Sequence, residues 1–311
     1  MRHPLLTPDG TPISRFCFGT MQFGGKADED ASRALYDASR AAGINFFDTA
    51  YAYTEGRSET FLGRFAAPER DRVFIASKAD FSRGSSPANI RASVEESRRR
   101  LGLDRIDLYY LHRWDATVPL DQTFAALAEE LAAGRIGAIG VSNFSAWQVM
   151  KAEAAAQRVG IGIAMLQPMY NLVKRQAEVE ILPMAQSEGF AVVPYSPLGG
   201  GLLSGKYASG DSGRLTDDPM YTARYAPGWM HDAATGLSAI AADLGTHPAT
   251  LAVAWAARHP GVTAPIISAR SPEQLAPSLA AMSFPMDDAL YARLSALSPT
   301  PPPATDRLEE A

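Results

Sequence analysis

The stretch INFFDTAYAY, residues 44–53, is a short apolar run that ends in Asp48 and is followed by Tyr53. Two later runs have the same form: VFIASK ends in Lys78, and IDLYYLH ends in His112. Continuous runs of β-branched and aromatic residues are typical of strands buried on both faces of a parallel sheet. When such strands close into a barrel, their carboxyl ends meet at one mouth. The sequence therefore predicts that an aspartate, a tyrosine, a lysine and a histidine converge there.

Eight such runs, each followed by a helix-like segment, extend along the chain. The predicted strands are residues 16–19, 44–47, 73–77, 106–111, 137–142, 163–167, 190–195 and 264–267. The predicted helices are residues 28–42, 58–65, 87–101, 120–133, 145–159 and 175–188, two stretches separated at 246–248, and 272–281. Strands that alternate with helices indicate a parallel sheet, and eight of them indicate closure. We therefore predict an α/β fold, a (β/α)8 TIM barrel.

Two additions to the barrel are expected, an N-terminal β-hairpin at Asp9-Gly10 and extra C-terminal helices, the last near 287–297. The alternative fold is an open doubly wound sheet. It is disfavoured because GTMQFGG, residues 19–25, is not the G-x-G-x-x-G that would follow its first strand.

The 311 residues suit one barrel domain, 1–311, with a loose proline-rich tail from about 300 to 311. The glycine-rich insertion 199–231 is long for a barrel loop, and its part 207–230 is a candidate lid over cofactor or substrate. The net charge of −5 disfavours a nucleic-acid partner. The run Arg98-Arg99-Arg100 is interpreted as favourable charge at a helix C-terminus.

The single cysteine, Cys17, excludes an intrachain disulfide and is expected to be a small buried hydrophobe. The chain has neither an N-terminal signal-peptide pattern nor an apolar stretch of 18 residues. We therefore expect a soluble cytoplasmic protein without a membrane partner.

Tyr53, Lys78 and Asp48 together suggest proton transfer. A free tyrosine has a pKa of about 10, and a neighbouring ammonium group lowers that value. Lys78 is placed to do this, and Asp48 is placed to hold the buried lysine, which would be costly to bury without a carboxylate. The alternative is a structural Asp–Lys pair with an incidental tyrosine.

His112 is expected to donate a hydrogen bond from a neutral imidazole to a substrate carbonyl. A zinc site with Asp48 is the competing interpretation. It is disfavoured because no second histidine or cysteine ends a predicted strand, so no metal is expected. The other histidines fall in predicted loops or helices: His3, His231, His247 and His259.

The stretch DTAYAYTEGRSETFLG, residues 48–63, resembles the D-T-A-x-x-Y-G-x-[ST]-E-x-x-[LIV]-G signature of the aldo-keto reductases. It departs from that pattern because Thr54 and Glu55 stand between Tyr53 and Gly56. The resemblance extends over the whole chain and implies a barrel that interconverts carbonyls and alcohols with a nicotinamide cofactor, normally NADP(H), without a metal. It implies that Asp48, Tyr53, Lys78 and His112 are catalytic.

The same resemblance implies a cofactor site. It rests on GVSNFS (140–145), LQPMYN (166–171), PYSPLGGGLLSGKY (194–207) and IISARSPEQLAPSLAA (266–281). The implied cofactor-binding residues are Gly19, Thr20, Met21, Asp48, Ser142, Asn143, Gln167, Tyr195, Ser196, Pro197, Leu198, Gly199, Gly200, Lys206, Ile267, Ser268, Ala269, Arg270, Ser271, Gln274 and Ser278.

Within that set, Ser142, Asn143 and Gln167 are expected to bind the nicotinamide carboxamide, and Tyr195 to stack on its ring. The segment 196–200 and Lys206 are expected at the pyrophosphate. The end of strand 8, before a helix start, suits the adenosine phosphate. The planar fork of Arg270 matches phosphate, which favours NADP(H) over NAD(H). Ser268 replaces the usual glycine, and Pro277 and Ser278 replace the usual Glu-Asn.

Residues that follow the strands are candidates for the pocket of a small carbonyl or sugar substrate. They are Phe23, Tyr51, Tyr53, His112, Arg113, Trp114, Tyr225 and Trp229. Arg113 suggests an anionic or hydroxyl-rich substrate, or else pairs with Asp115.

Two other functions remain open. One is a redox-sensing regulatory subunit, as in the β subunits of voltage-gated potassium channels, which share this barrel and cofactor. The other is an isomerase or aldolase with Lys78 as a Schiff base, which the nicotinamide motifs disfavour.

Overall fold

The structure, a computed structural model, describes residues 5–305, 307 and 309. His3 and four positions of the expected C-terminal tail (306, 308, 310 and 311) lie outside these described residues. Of the tail, residues 299–303 form neither helix nor strand.

Eight parallel strands form one sheet in the order β7-β6-β5-β4-β3-β2-β1-β8. Its two ends are joined by backbone hydrogen bonds, from Thr263 N to Val192 O at 2.8 Å and from Ile266 N to Pro194 O at 2.8 Å. The predicted (β/α)8 TIM barrel is therefore confirmed. The strands are β1 (Cys17–Gly19), β2 (Phe46–Asp48), β3 (Phe74–Lys78), β4 (Leu108–Leu111), β5 (Ile139–Ser142), β6 (Met165–Gln167), β7 (Ala191–Val192) and β8 (Ile266–Ile267).

The helices follow the strands as the alternation predicts. They are α1 (Glu29–Ala41), α2 (Arg57–Ala66), α3 (Pro87–Leu101), α4 (Leu120–Ala132), α5 (Ala146–Arg158), α6 (Ile181–Glu188), α7 (Arg214–Asp217), α8 (Pro219–Arg224), α9 (Gly228–Asp243), α10 (Pro248–Arg258), α11 (Pro272–Ala280) and α12 (Asp288–Ser295). No described helix is both long and apolar enough to span a bilayer.

One predicted helix, residues 175–188, is divided in two. A 3₁₀ turn at Gln176–Glu178 precedes α6, which begins at Ile181. Pro183 lacks an amide hydrogen for the carbonyl four residues earlier, and its ring would clash with that carbonyl in a continuous helix. The proline is tolerated because it falls in the first turn of α6.

Both predicted additions to the barrel are present. The hairpin has backbone hydrogen bonds from Thr7 N to Thr11 O at 2.8 Å and from Ile13 N to Leu5 O at 3.1 Å. Gly10 in its turn has φ of +87°. At the other end of the chain α12 packs on α10, where Trp255 Nε1 donates to Ser295 Oγ at 2.8 Å.

The insertion 199–231 is folded rather than a simple loop. It contains 3₁₀ turns at Gly199–Ser204 and Lys206–Ser209, followed by α7, α8 and the start of α9. Asp218 caps α8, accepting from Met220 N at 2.9 Å. The candidate lid is therefore a small helical subdomain on the barrel mouth.

Candidate active site

Strand periodicity determines which side chains face the barrel interior. The cluster inside the barrel includes Cys17, Phe46, Ala76, Tyr110 and Met165. Side chains two residues apart on a strand point to the same face. The next inward-facing positions, at the carboxyl ends, are therefore Gly19, Asp48, Lys78, His112 and Gln167. The expected convergence at one mouth follows from this alternation.

Lys78 is the centre of the polar cluster at this mouth. Its side chain is fully buried, and its Nζ donates to Asp48 Oδ1, to Thr49 O at 2.7 Å and to Tyr53 OH at 3.4 Å. The second carboxylate oxygen of Asp48 accepts from Gln167 Nε2 at 2.8 Å. The predicted Asp–Lys–Tyr arrangement is present, and Asp48 is held on both oxygens.

The turn that contains Tyr53 has an unusual backbone. Thr54, Glu55 and Gly56 all have left-handed φ values, of 47°, 58° and 90°. This conformation is costly for the two residues that have side chains. Thr54 Oγ1 donates to Phe23 O at 2.7 Å, which helps to hold the turn. The insertion of Thr54-Glu55 relative to the family signature is thus accommodated beyond Tyr53.

Arg100 braces the same turn from α3. Its Nη1 donates to Tyr51 O at 2.9 Å and to Glu59 Oε2 at 3.1 Å. Glu59 is fully buried and also accepts from Ser77 Oγ at 2.6 Å. The run Arg98-Arg99-Arg100 lies in the last turn of α3, as predicted, and Arg100 in addition ties α3 to the segment beside Tyr53 and to β3.

The expected lowering of the Tyr53 pKa is not what the structure shows. Burial raises the pKa of Tyr53, the nearby Lys78 ammonium opposes this, and the pKa stays above its usual value. Burial acts to lower the pKa of Lys78, but the charge of Asp48 raises it above its usual value. Both groups therefore keep their protons near neutrality, so that Tyr53 is a neutral donor beside a cation.

His112 is neutral in these surroundings, as the sequence analysis expects. Burial lowers the pKa of His112 to about 3, and the charges of Lys78 and Arg113 act in the same direction. The imidazole lies edge-on to Tyr53, with ring centroids 6.0 Å apart, and edge-on to Phe81 at 5.0 Å. A neutral imidazole and a neutral phenol therefore lie side by side at the mouth.

We expect His112 to stay neutral between pH 5 and pH 8, where an ordinary histidine with a pKa of about 6.5 would titrate. Because the pKa of His112 is lower in the folded protein than in the unfolded chain, protonation of this histidine favours unfolding. The free energy of unfolding therefore keeps its full value above pH 6.5 and decreases as the pH falls from 6.5 toward 3. Nuclear magnetic resonance of the histidine ring protons, assigned with His112→Gln, checks this. A His112 titration near pH 6.5 would contradict it.

The cluster opens into a cleft of about 940 Å³. Asp48, Tyr53, His112 and Arg113 line it, together with most of the implied cofactor residues. Those are Gly19, Met21, Ser142, Asn143, Gln167, Tyr195, Ser196, Pro197, Leu198, Gly200, Lys206, Ile267, Ser268, Ala269, Arg270, Gln274 and Ser278. Asn143 connects His112 to Tyr195 in this lining. Its side chain donates to His112 O at 3.0 Å and accepts from Tyr195 OH at 2.7 Å.

Three implied cofactor residues do not line the cleft. The hydroxyl of Thr20 is buried and bonded to Asp48 O at 3.1 Å. Gly199 lies behind the cleft wall, where an added Cβ would lie 3.3 Å from Tyr225. The side chain of Ser271 caps α11, accepting from Gln274 N at 3.4 Å. In this structure the side chains of Thr20 and Ser271 are therefore engaged in local hydrogen bonds.

Three substrate candidates do not line this cleft. Phe23 is fully buried and packs on Phe18 and Phe65, with centroids 5.7 and 6.0 Å apart. Trp114 packs on Phe144, at 5.3 Å, and lines a neighbouring pocket together with His112 and Arg113. Trp229 lies in the first turn of α9, outside the cleft lining.

Tyr51 and Tyr225 also lie outside the lining. The Tyr51 ring is covered by the Arg100 guanidinium at 4.3 Å, and Tyr225 is 1% exposed. Aromatic side chains after strands are as useful for packing as for binding, and position along the chain does not separate these roles.

The insertion supplies cleft residues that the sequence analysis missed. Arg214, Met220, Tyr221 and Arg224 line the cleft. The Tyr221 ring lies between two guanidinium groups, Arg214 at 5.3 Å and Arg224 at 5.0 Å from its centroid. Tyr221 and Arg224 are three residues apart on α8 and so share a face. This spacing of three residues was the signal in the sequence that could have identified both side chains as one surface.

Comparison with known proteins relates this chain to one family of oxidoreductases. The model of the aldo/keto reductase family matches residues 15–299. An uncharacterized oxidoreductase of Bacillus subtilis is 36% identical over 235 residues, which are 70% of this chain and 72% of that protein. A probable voltage-gated potassium channel subunit beta of Oryza sativa is 32% identical over 285 residues, covering 83% of this chain and 84% of that protein.

A third relative is the aflatoxin B1 aldehyde reductase member 2 of Rattus norvegicus. It is 37% identical over 195 residues, which are 61% of this chain and 53% of that protein. The match of the family model over nearly the whole chain agrees with the barrel fold. The chain belongs to the aldo/keto reductase family of NAD(P)H-dependent oxidoreductases.

Proposed function

We propose that this protein is an NADP(H)-dependent oxidoreductase that interconverts a carbonyl compound and its alcohol, with Tyr53 as the general acid and base. The observation that supports this most directly is the contact of Lys78 Nζ with Tyr53 OH at 3.4 Å, in a cleft that His112 also lines. A phenol, an ammonium and an imidazole at one point of a concave site are the parts needed for proton transfer to a carbonyl.

The cleft has the donors that a phosphorylated dinucleotide requires. Lys206, Arg214 and Arg270 line one part of it. Burial lowers the pKa of Lys206, and the positive charge of Arg270 lowers it further, so these two cations are close neighbours. The hydroxyl of Ser268, also in the lining, is buried without a hydrogen-bond partner among the described residues. An unpartnered donor beside clustered cations suits a phosphate.

Ser142, Asn143, Gln167 and Tyr195 would hold the nicotinamide end of the cofactor, and the cations just named would hold its phosphates. When bound, the cofactor supplies the hydride. Mutual hydrogen bonds orient its protein ligands: Ser142 Oγ donates to Gln167 O at 3.0 Å, and Tyr195 OH donates to Asn143 Oδ1 at 2.7 Å. These side chains are therefore arranged before binding, which lowers the cost of ordering them.

Tyr53 and His112 act on the carbonyl oxygen. In reduction, the Tyr53 hydroxyl donates its proton to that oxygen as negative charge develops there, and the imidazole donates a hydrogen bond. The adjacent Lys78 ammonium stabilises the phenolate that remains. In oxidation the phenolate accepts the proton from the alcohol. Asp48 keeps Lys78 in place and does not itself exchange the proton.

The function is tested by screening small aldehydes, ketoses and aldoses with NADPH and NADH, following the absorbance of the reduced nicotinamide. Turnover of a carbonyl compound supports the proposal. Absence of turnover over the whole panel, with a folded protein that binds NADPH, would contradict it.

Arg270→Ala is expected to weaken NADP(H) binding roughly 10- to 150-fold, the loss of one charge-assisted hydrogen bond, and to affect NAD(H) much less. The physical reason is that the guanidinium suits the additional phosphate of NADP(H). Fluorescence titration of both cofactors checks this. Equal losses for NADP(H) and NAD(H) would reverse the proposed cofactor preference.

A second candidate is a cofactor-binding regulatory subunit. It is favoured by the similarity to the Oryza sativa channel subunit and by the exposed Trp147 and Met150 on α5, 60% and 38% accessible. Steady-state turnover of aldehydes would favour the enzyme over the regulatory subunit. The Schiff-base alternative is disfavoured because Lys78 is fully buried and engaged by Asp48.

A further inference from the structure

The cations of the cleft fall into two groups. Besides the three assigned above to the cofactor phosphates, Arg113 and Arg224 line the cleft. Burial raises the pKa of the Tyr195 hydroxyl, and the positive charges of Arg224 and Arg113 both act against this rise. Both arginines therefore act on Tyr195, whereas the charges of Arg270 and Arg214 act on Lys206. Arg214 and Arg224 also share the Tyr221 ring, at 5.3 and 5.0 Å from its centroid.

Arg113 lies at the mouth and stacks on an aromatic ring. Its guanidinium lies 4.1 Å from the centroid of Phe81, and Phe81 in turn packs edge-on against His112 at 5.0 Å. The partner that the sequence suggested is engaged elsewhere: Asp115 accepts from Ser85 N at 2.7 Å and from Thr117 Oγ1 at 2.6 Å. The alternative in which Arg113 pairs with Asp115 was therefore wrong.

Arg224, the last residue of α8, is held in a comparable way by an aromatic ring. It stacks on Tyr221 of α8, at 5.0 Å from the ring centroid, and Tyr221 is close enough to influence the pKa of Tyr53. No described carboxylate forms an ion pair with Arg113 or Arg224. Stacking on a ring face holds a guanidinium in place and leaves its N–H edge free for an oxyanion.

The acidic residues in the described lining do not balance these charges. They are Asp48, Asp211 and Glu273. Asp48 is neutralised by Lys78. The charge of Asp211 acts on Lys206, and Glu273 lies in the first turn of α11, at the phosphate end. The substrate end is therefore left with two cations in a cleft, an arrangement that attracts anions and accelerates their association.

We propose that the substrate has an oxyanion group, a carboxylate or a phosphate, remote from its reacting carbonyl, and that Arg113 and Arg224 bind this group. The inference rests on the proposed carbonyl reduction and specifies its substrate class. Tyr53 and His112 bind the carbonyl oxygen, and the two arginines select the charged end.

The test compares matched aldehydes that differ in charge. One pair is 4-carboxybenzaldehyde and its neutral amide, 4-formylbenzamide; the other is glyceraldehyde 3-phosphate and glyceraldehyde. The measured quantity is the ratio of kcat/KM for the charged and the neutral member, in wild type, Arg113→Met, Arg224→Met and the control Arg91→Met. Arg91 forms an exposed ion pair with Glu129 at 2.7 Å, and neither residue lines the cleft.

In wild type the ratio should exceed one for at least one pair, and the pair with the larger ratio identifies carboxylate or phosphate. Each of Arg113→Met and Arg224→Met should lower that ratio roughly 10- to 150-fold, while Arg91→Met leaves it unchanged. The KM of the charged member should rise with ionic strength, because screening weakens the attraction.

A wild-type ratio of one or below for both pairs would overturn the inference. Arginine variants that lower kcat/KM for the charged and the neutral aldehyde by the same factor would also overturn it. Reduction of the neutral aldehydes without any preference for charge would leave the proposed function standing and reject only the substrate class. If no aldehyde is reduced at all, both proposals fail. Binding of NADPH, measured by fluorescence for each variant, should be unchanged; a loss would assign the arginine to the cofactor instead.

Discussion

Replacement of Tyr53 by phenylalanine is expected to lower kcat for carbonyl reduction by about 10²- to 10⁴-fold, the range for loss of a general acid. The change removes only the hydroxyl that Lys78 Nζ contacts at 3.4 Å. The ring remains to fill its place beside His112, and the cations proposed for the cofactor phosphates are untouched. The affinity for NADPH should therefore stay near the wild-type value, and stopped-flow and fluorescence measurements separate the two quantities.

Tyr51→Phe is the matched control for this experiment. It removes the same atom from the same turn, two residues earlier, where the side chain lies outside the cleft lining and its ring is covered by Arg100. Its effect on kcat should be small. A Tyr53→Phe variant that loses NADPH affinity together with kcat would show that the hydroxyl serves binding, and our assignment of the proton donor would be wrong.

The second large effect is expected at the buried ion pair. Lys78→Met should lower the free energy of unfolding by about 3–5 kcal/mol, because it leaves the buried Asp48 carboxylate without its cation. The double variant Lys78→Met/Asp48→Leu should recover most of that loss, since an apolar pair of similar volume avoids the desolvation cost of both charges. Carbonyl reduction should not recover, because the proton donor still lacks the ammonium. Urea unfolding and single-turnover kinetics measure the two effects.

Complete additivity of the two single changes in unfolding free energy would contradict a direct coupling between Lys78 and Asp48. Arg91→Met provides a comparison at an exposed ion pair, where the loss should be less than about 1 kcal/mol. Recovery of activity in the double variant would be the more serious result. It would mean that the ammonium is dispensable for catalysis and that the pair is structural, the alternative that the sequence analysis left open.

Much of the site was predictable because strand ends are local features. Runs such as INFFD and VFIASK alternate in and out of the barrel with a period of two, so the last inward-facing residue can be identified from the chain. Asp48 and Lys78 were placed at the mouth because each ends such a run, the alternation agrees with this, and their contact follows from the pairing of β2 with β3. The family resemblance added the later strands, and most of those residues line the cleft.

The errors concern side chains whose role depends on distant partners. Phe23 follows β1 as a substrate residue might, but its ring lies between Phe18 and Phe65 in the core. Arg100 lies at the helix end as predicted, but its bonds to Glu59 and Tyr51, which cross between elements, were missed. The insertion was expected over the cofactor or substrate, but the side chains that it contributes to the cleft, Arg214, Met220, Tyr221 and Arg224, were not identified, because their position depends on how the insertion packs on the barrel.

The amino-acid sequence by itself determined the order of strands and helices, the closure into a barrel and the meeting of Asp48, Tyr53, Lys78 and His112 at one mouth, because periodicity and strand ends are set by neighbours along the chain. The tertiary structure decided the raised pKa of Tyr53, the stacking of Arg113 on Phe81 and the place of Arg224 in the cleft wall. Burial and stacking depend on groups far apart in the chain, and folding alone brings these together.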